Sequence, residues 1–202
     1  MPSGLPNIAK PCPPPTCPGS CYHPFAGDVV NTDADGGFIT STTGPATLDV
    51  ALRGRYSRVY TNGTTPALEV TFGDGYNDLA LNDLGNVKER SAYVNTNRIH
   101  DHMKQWLPDF TDLDVALTTN VDMEGECNAF YDGSSINFFD AGGGCNPTSL
   151  IADVVWHEYG HGINDKYYQS LGSFFSNGAM NEGYADFWAM SLGDIAEIGQ
   201  GF

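Results

Sequence analysis

An α+β fold is what this sequence predicts, and three observations lead there. The first half carries short β-type runs separated by turn residues. The second half carries segments whose apolar residues recur at helical spacing, one of them closed by Pro108. Between those helical segments, Asp132-Gly133 stands between two apolar runs, a strong hairpin signal.

The chain has 202 residues, 41% of them hydrophobic, enough for one substantial core with a small satellite module. Its 25 acidic and 9 basic side chains give a formal charge of −16, which argues against nucleic acid or an anionic membrane surface as partner. Such a balance suits a soluble exported protein that uses calcium. The 24 glycines and 12 prolines imply many turns. No apolar run approaches a membrane span. Met1-Pro2-Ser3-Gly4 has neither the basic start nor the apolar core of a signal peptide, so a signal and a pro-region are expected upstream in the natural protein.

Residues 1–24 read as a Pro- and Cys-rich leader, with Pro13-Pro14-Pro15 as a polyproline-like spacer. Two of Cys12, Cys17 and Cys21 are expected to pair; a zinc knuckle completed by His23 is the poorer alternative. Residues 25–80 are β-rich, either a small module or the opening sheet of the domain formed by the rest of the chain. Phe38–Thr40, Ala46–Val50, Ser57–Tyr60 and Ala67–Phe72 are its strands, with Gly36-Gly37, Gly44-Pro45 and Asn62-Gly63 as turns. Asn31-x-Asp33-x-Asp35-Gly36 starts like a calcium loop, but Thr42 stands where a bidentate Glu is required, so a turn is expected. Arg53, Arg55 and Arg58 are expected to pair on the surface of so acidic a protein.

Glu89–Leu107 is a helix candidate with Tyr93, Val94, Ile99, Met103 and Trp106 as its apolar stripe. His100 and His102, two residues apart, face different ways on a helix and are expected to be structural. Cys127 and Cys145 bracket the hairpin; a bond between them would add roughly 3 kcal/mol through chain entropy and points to an oxidising compartment. Asn146 as N-cap and Pro147 at the first helical position are expected to open the next helix, with Leu150, Val154, His157 and His161 on one stripe.

That helix carries His157-Glu158-Tyr159-Gly160-His161. The two histidines stand about 40° apart around a helix axis, so both imidazoles leave one face and can share an ion. Neutral imidazoles favour zinc, and Glu158 beside them is placed to take a proton from a water held there. Chance alone gives these three residues in roughly 2% of chains this long, so a second segment has to support the motif. It is Asn181-Glu182-Gly183-Tyr184-Ala185-Asp186. Glu182 suits the third ligand position, and Asp186, one turn on, could accept the free ring N–H of a ligand histidine.

From about Tyr93 to Gly199 the chain resembles the thermolysin-like and fungalysin-like zinc metalloendopeptidases, which carry His-Glu-x-x-His followed some twenty residues on by a helix with a ligand Glu. Gly178–Glu182 is similar to the thermolysin form of that helix start, Glu182–Phe187 to the fungalysin form. The resemblance implies a zincin-like catalytic subdomain over residues 81–202, with a twisted β-sheet and active-site helices. It implies zinc on His157, His161 and Glu182, Glu158 as general base, and hydrolysis of a peptide or protein substrate outside the cell. Asn128-Ala129 resembles the edge-strand pair that meets the substrate; a purely structural hairpin is the alternative.

Two departures stand out. The family's transition-state-stabilising His lies beyond the third ligand, past Phe202, so a further C-terminal subdomain is expected to complete the cleft. The family's Tyr between the second histidine and the ligand Glu is replaced near Phe174-Phe175, with Tyr167 and Tyr168 a few residues earlier. Calcium-binding acids in the family lie near the positions of Asp153, Asp194 and Glu197. Here Gln200 and Gly193 replace expected carboxylates, so one weak calcium site is the most these residues would support, and three ordinary surface acids are the plainer expectation. The rival from another class is a non-catalytic, zinc-stabilised domain that binds a partner along its edge strand. Retention of Glu158 speaks against it, since a structural site needs no base.

Overall fold

Parallel pairing between two stretches far apart in sequence sets the architecture. The computed structural model describes residues 7–10, 22–25, 28–33 and 36–202. Strand β1 (Asn7–Lys10) pairs antiparallel with β4 (Phe38–Thr40) and parallel with β8 (Asn77–Asp78). Strands β2 (Tyr22–Phe25), β3 (Asp28–Asn31), β5 (Ala46–Ala51) and β7 (Ala67–Phe72) make an antiparallel sheet in the order β3-β2-β5-β7. The sheet that carries the site is mixed. In it β6 (Ser57–Thr61) runs parallel to β9 (Leu117–Met123), β9 parallel to β11 (Ser135–Phe139), and β11 antiparallel to the edge strand β10 (Ala129–Tyr131). The chain is thus α+β, with the strands of residues 38–72 where the β-type runs place them.

β6 belongs to the stretch before residue 80 and β9 to the stretch after it. Leu48, Val50, Val59 and Phe72 share one core with Tyr93, Ile99, Ile136, Phe138 and Tyr159. One strand of the β-rich segment, β6, thus lies in the sheet that carries the site, while β2, β3, β5 and β7 form a sheet of their own. Burying each such side chain contributes roughly 1.5–3 kcal/mol, so this shared core holds the two stretches together. β9 itself was not expected from sequence. It alternates Leu117, Thr119 and Val121 inward, but Thr119 and Asn120 make it read as polar. Asn120 meets its polar partner across the sheet, donating to Asn137 Oδ1 at 2.8 Å.

Helix α1 (Val87–Trp106) begins two residues before the expected Glu89, because Asn86 caps it. The Asn86 side chain accepts from the Lys88 and Glu89 amides, and the Glu89 carboxylate accepts the Asn86 N–H at 2.6 Å. His100 is structural, as expected. It is 1% exposed, stacks on Tyr56 and bonds Asp114 through Nε2 at 3.0 Å. His102 ties α1 to the last helix through the Ser191 hydroxyl, at 2.8 Å.

The expected start of the metal-motif helix needs correction. Pro147 caps a 3-10 turn, Thr148–Leu150, and α2 (Ala152–Ser170) starts after an extended Ile151 with no side-chain cap. Tertiary bonds win over the local Asn-Pro signal. Thr148 is buried and donates its hydroxyl to the carbonyls of Asn128 and Phe139, while the Asn146 amide is spent on the Gly201 carbonyl. Leu150 is 39% exposed and leaves the stripe that Val154 and His161 share. Helix α3 (Gly178–Gly193) is capped by Asn177 and closed by Asp194 in the left-handed conformation. Among the described residues no helix is long and apolar enough to cross a membrane.

The remaining local expectations are met in part. Asp33 closes a turn through its carboxylate on the Gly37 amide at 2.6 Å; Asp35 lies outside the described residues, as do Cys12, Cys17 and Cys21. Arg58 stands 5.5 Å over the ring of Tyr60. Cys127 and Cys145 form a disulfide that closes the hairpin at its base.

Gly160 is where α2 and α3 meet. A Cβ there would lie 2.9 Å from Ala185 Cα and 3.1 Å from Ala185 O, both backbone atoms that cannot swing aside. At Gly183, also helical, a Cβ meets nothing within 4 Å. Alanine normally favours a helix over glycine by about 1 kcal/mol, so Gly183→Ala should raise stability by about that amount. Gly160→Ala should instead lower it by roughly 1–3 kcal/mol, because overpacking outweighs the propensity gain. Urea denaturation of the two variants beside the parent chain checks both signs.

Candidate metal centre

Helical spacing on α2 and a close crossing by α3 bring three side chains to one point. His157 and His161 project from the same face of α2, with ring centroids 4.7 Å apart and planes nearly perpendicular. Glu182, at the start of the second turn of α3, places Oε2 3.2 Å from His157 Nε2 and 3.4 Å from His161 Nε2. Among the described residues this is the one group of three or more potential ligands whose donor atoms all lie within 4.8 Å of one another. Two imidazole nitrogens and a carboxylate oxygen are a donor set that suits a divalent transition metal. Glu182 is 63% exposed, so the group opens to solvent on the α3 side and leaves room for a further ligand.

The surroundings orient the donors. Asp186 Oδ1 lies 2.8 Å from His157 Nδ1, which fixes the proton there and leaves the Nε2 lone pair toward Glu182. Burial, followed by the neighbouring His157, holds His161 below the usual histidine range, opposed by Asn181, Glu182 and Asp186. A neutral His161 is the ligating form. Asn181 lies close enough to His161 to favour its charged form, yet His161 Nδ1 has no hydrogen-bond partner in the protein. The Asn181 side chain is itself held by Asn164, whose amide donates to Asn181 Oδ1 at 2.8 Å. Sequence reasoning assigned no role to this asparagine pair. Asn164 stands one helical turn after His161 and Asn181 directly before Glu182, a placement that could have revealed it.

Glu158 is 5% exposed and sits beside the ligand pair. Burial pushes its carboxyl up to about 8, with the charge of Glu182 as the second cause, and a hydrogen bond from the Tyr131 backbone opposes both. That bond locates the edge strand. Asn128 O accepts Phe139 N–H and Asp132 N–H donates to Ser135 O, so residues 128, 130 and 132 turn their main chain toward β11. The main-chain groups of Ala129 and Tyr131 consequently face away from β11, on the side of Glu158, with Ala129 itself buried at 7% exposure. Asn128 is exposed, and its carbonyl is taken by Thr148 and Phe139, leaving its side chain free.

Other candidates are not gathered here. Asp153 is buried and accepts the Gly199 N–H on Oδ2 at 2.7 Å. Glu197 bonds Gln200, and Asp194 closes α3. Asp153 and Glu197 line an open cavity of about 500 Å³, but among the described residues these three acids do not converge as ligands. Tyr167 packs edge-on against Phe110, Tyr168 against Phe175, and Phe175 against Tyr184, so these aromatics cluster with one another.

Glu158 makes the metal-free protein sensitive to pH. An unfolded chain releases this proton near the ordinary 4.5, whereas the folded protein keeps it to about 8. The stabilisation is complete below the lower value and disappears as pH rises through the higher one. In chelator, the melting temperature should fall across this interval, and Glu158→Gln should flatten the fall. Added divalent metal should flatten it too, because the cation favours the carboxylate. Thermal melts from about pH 5 to about pH 9 read all three outcomes.

A search of family models finds none that matches this chain, and no curated protein matches it.

Proposed function

We propose that this chain is the metal-binding part of a zinc endopeptidase with a zincin-like fold, of the kind represented by the thermolysin-like and fungalysin-like enzymes. One observation carries the reading: two imidazoles and a carboxylate converge beside a buried glutamate that also touches an open strand edge. His157, His161 and Glu182 would hold the ion, and Asp186 would hold His157 in the ligating tautomer. When bound, zinc would activate a water and polarise the scissile carbonyl.

The remaining work falls to the chain's own residues. Glu158 takes the proton of the attacking water and returns it to the amine that leaves. Its buried position suits both halves of that transfer, because neither the charged nor the neutral form is strongly disfavoured near neutral pH once a cation is close. The outward main-chain groups of Ala129, with the Asn128 side chain, align an extended peptide by strand addition. Such bonds are independent of the peptide's sequence, so peptide or protein is the substrate class. Secretion goes with this reading, since the Cys127–Cys145 bond suits an oxidising compartment. Calcium is no part of it.

The test is casein hydrolysis by metal-loaded protein, with and without chelator, beside a measurement of metal content. Chelator should abolish hydrolysis and one equivalent of zinc restore it. Glu158→Gln should keep the metal and lower kcat by roughly a hundredfold or more. Undiminished hydrolysis in that variant would overturn the assignment. Stoichiometric metal without hydrolysis would favour a zinc-stabilised binding domain.

A further inference from the structure

The edge strand reaches Glu158 through a single residue, and that residue is held from a second direction. Tyr131 directs its backbone N–H at Glu158, and its ring lies over Gly162 of α2, where an added Cβ would meet the ring at 3.5 Å. Its phenol donates to Asp165 Oδ2 at 3.0 Å, one helical turn beyond His161. Asp165 is itself steadied. Gln169 donates to its other oxygen at 2.6 Å, and the Lys166 ammonium lies 3.2 Å from Oδ2. Lys166 also donates to the Gly133 carbonyl at 3.0 Å, so the hairpin turn is tied to the same turn of α2.

We propose that the Tyr131–Asp165 hydrogen bond is a positioning clamp that sets the height of the edge strand over the metal helix, and so the place of a bound peptide relative to Glu158. This rests on the peptidase reading above. The strand needs such a device. β10 is three residues long and, among the described residues, is paired on one side only, to β11, and short edge strands open readily. The disulfide at Cys127 restrains its start, while at its far end Tyr131 is the strand's own side-chain tie to α2, beside the Lys166 bond to the turn. A tyrosine anchored only by packing would leave the main-chain groups of Ala129 free to shift along α2. A phenol fixed to a carboxylate on that helix registers strand and helix directly, through a charge-assisted bond. The Tyr131 side chain does not itself touch the reacting atoms. It acts through the strand it belongs to.

The experiment uses metal-loaded protein and four variants: Tyr131→Phe, Asp165→Ala, Asp165→Asn and the Tyr131→Phe/Asp165→Ala pair. Steady-state hydrolysis of a fluorogenic peptide, zinc affinity by chelator competition, and amide hydrogen exchange over residues 128–131 are measured together. Tyr131→Phe and Asp165→Ala should each lower kcat/KM by roughly tenfold, as expected for the loss of one hydrogen bond to a charged group. Zinc affinity should stay within about twofold of the parent, and Asp165→Asn, which keeps an acceptor, should retain most of the activity. The double variant should be no worse than either single one, since both remove the same bond. The proposal is overturned if either single variant keeps kcat/KM within about twofold of the parent, or if zinc affinity falls in step with activity. Should the parent hydrolyse no peptide, the peptidase reading fails by itself and exchange decides the clamp. Exchange at residues 128–131 must then quicken in Asp165→Ala and not in Asp165→Asn, and unchanged exchange would remove the clamp.

Discussion

The approach of α3 to α2 at Gly160 is the contact on which the site depends. Without a side chain at Gly160, Ala185 comes within a distance that any Cβ would forbid, and Ala185 lies one turn after Glu182. That crossing lets a carboxylate from one helix meet two imidazoles from another at 3.2 and 3.4 Å. It also buries Glu158, His161 and Asn164 in the same layer. Buried polar groups are costly unless each finds a partner. Asn164 finds Asn181, His157 finds Asp186, and Glu158 receives the Tyr131 N–H. What remains uncompensated is His161 Nδ1 and the crowding of two carboxyls and two imidazoles, and a divalent cation would relieve the crowding.

The hairpin that carries the edge strand is held to this helix pair from several directions. Thr148 bonds the carbonyls of Asn128 and Phe139, so the turn before α2 and the hairpin share their hydrogen bonds. Asn137, almost fully buried, accepts from Asn120 and donates to the Phe130 carbonyl, fastening β10 to the parallel part of the sheet. Fully satisfied polar ties of this kind are directional, and they specify register more sharply than apolar packing does. The result is an edge held still beside Glu158, with the Tyr131 N–H directed at its carboxyl.

Charge is distributed unevenly between interior ties and surface. Lys88 is paired with Asp122 and Asp140, Lys104 with Asp114 and the Phe110 carbonyl, and Arg90 with carbonyls at the start of α1. With 25 acids against 9 bases, several of the scarce cations are committed to joining elements. The surface is left strongly negative. Such a field attracts cations and cationic segments from solution and repels polyanions.

Sequence alone determined whatever depends on neighbours a few residues apart. The histidine pair with Glu158, Glu182 with Asp186, the Asp132-Gly133 turn and the strands of residues 38–72 all follow from periodicity or from short motifs. The cysteine pairing followed from the position of Cys127 and Cys145 around that turn. Tertiary structure decided what depends on partners far along the chain. It moved the start of α2 past an apparently good Asn-Pro signal, because Thr148 bonds the hairpin. It made a polar-looking stretch, Leu117–Met123, a central strand, because Asn137 of β11 receives Asn120. It also chose which acid meets the histidine pair. Glu182 is carried to the histidines by the Gly160 crossing, while Asp153, much nearer to His157 in sequence, accepts the Gly199 amide. Local spacing determines which way a side chain leaves its helix, and only the packing of one element on another determines what it meets there.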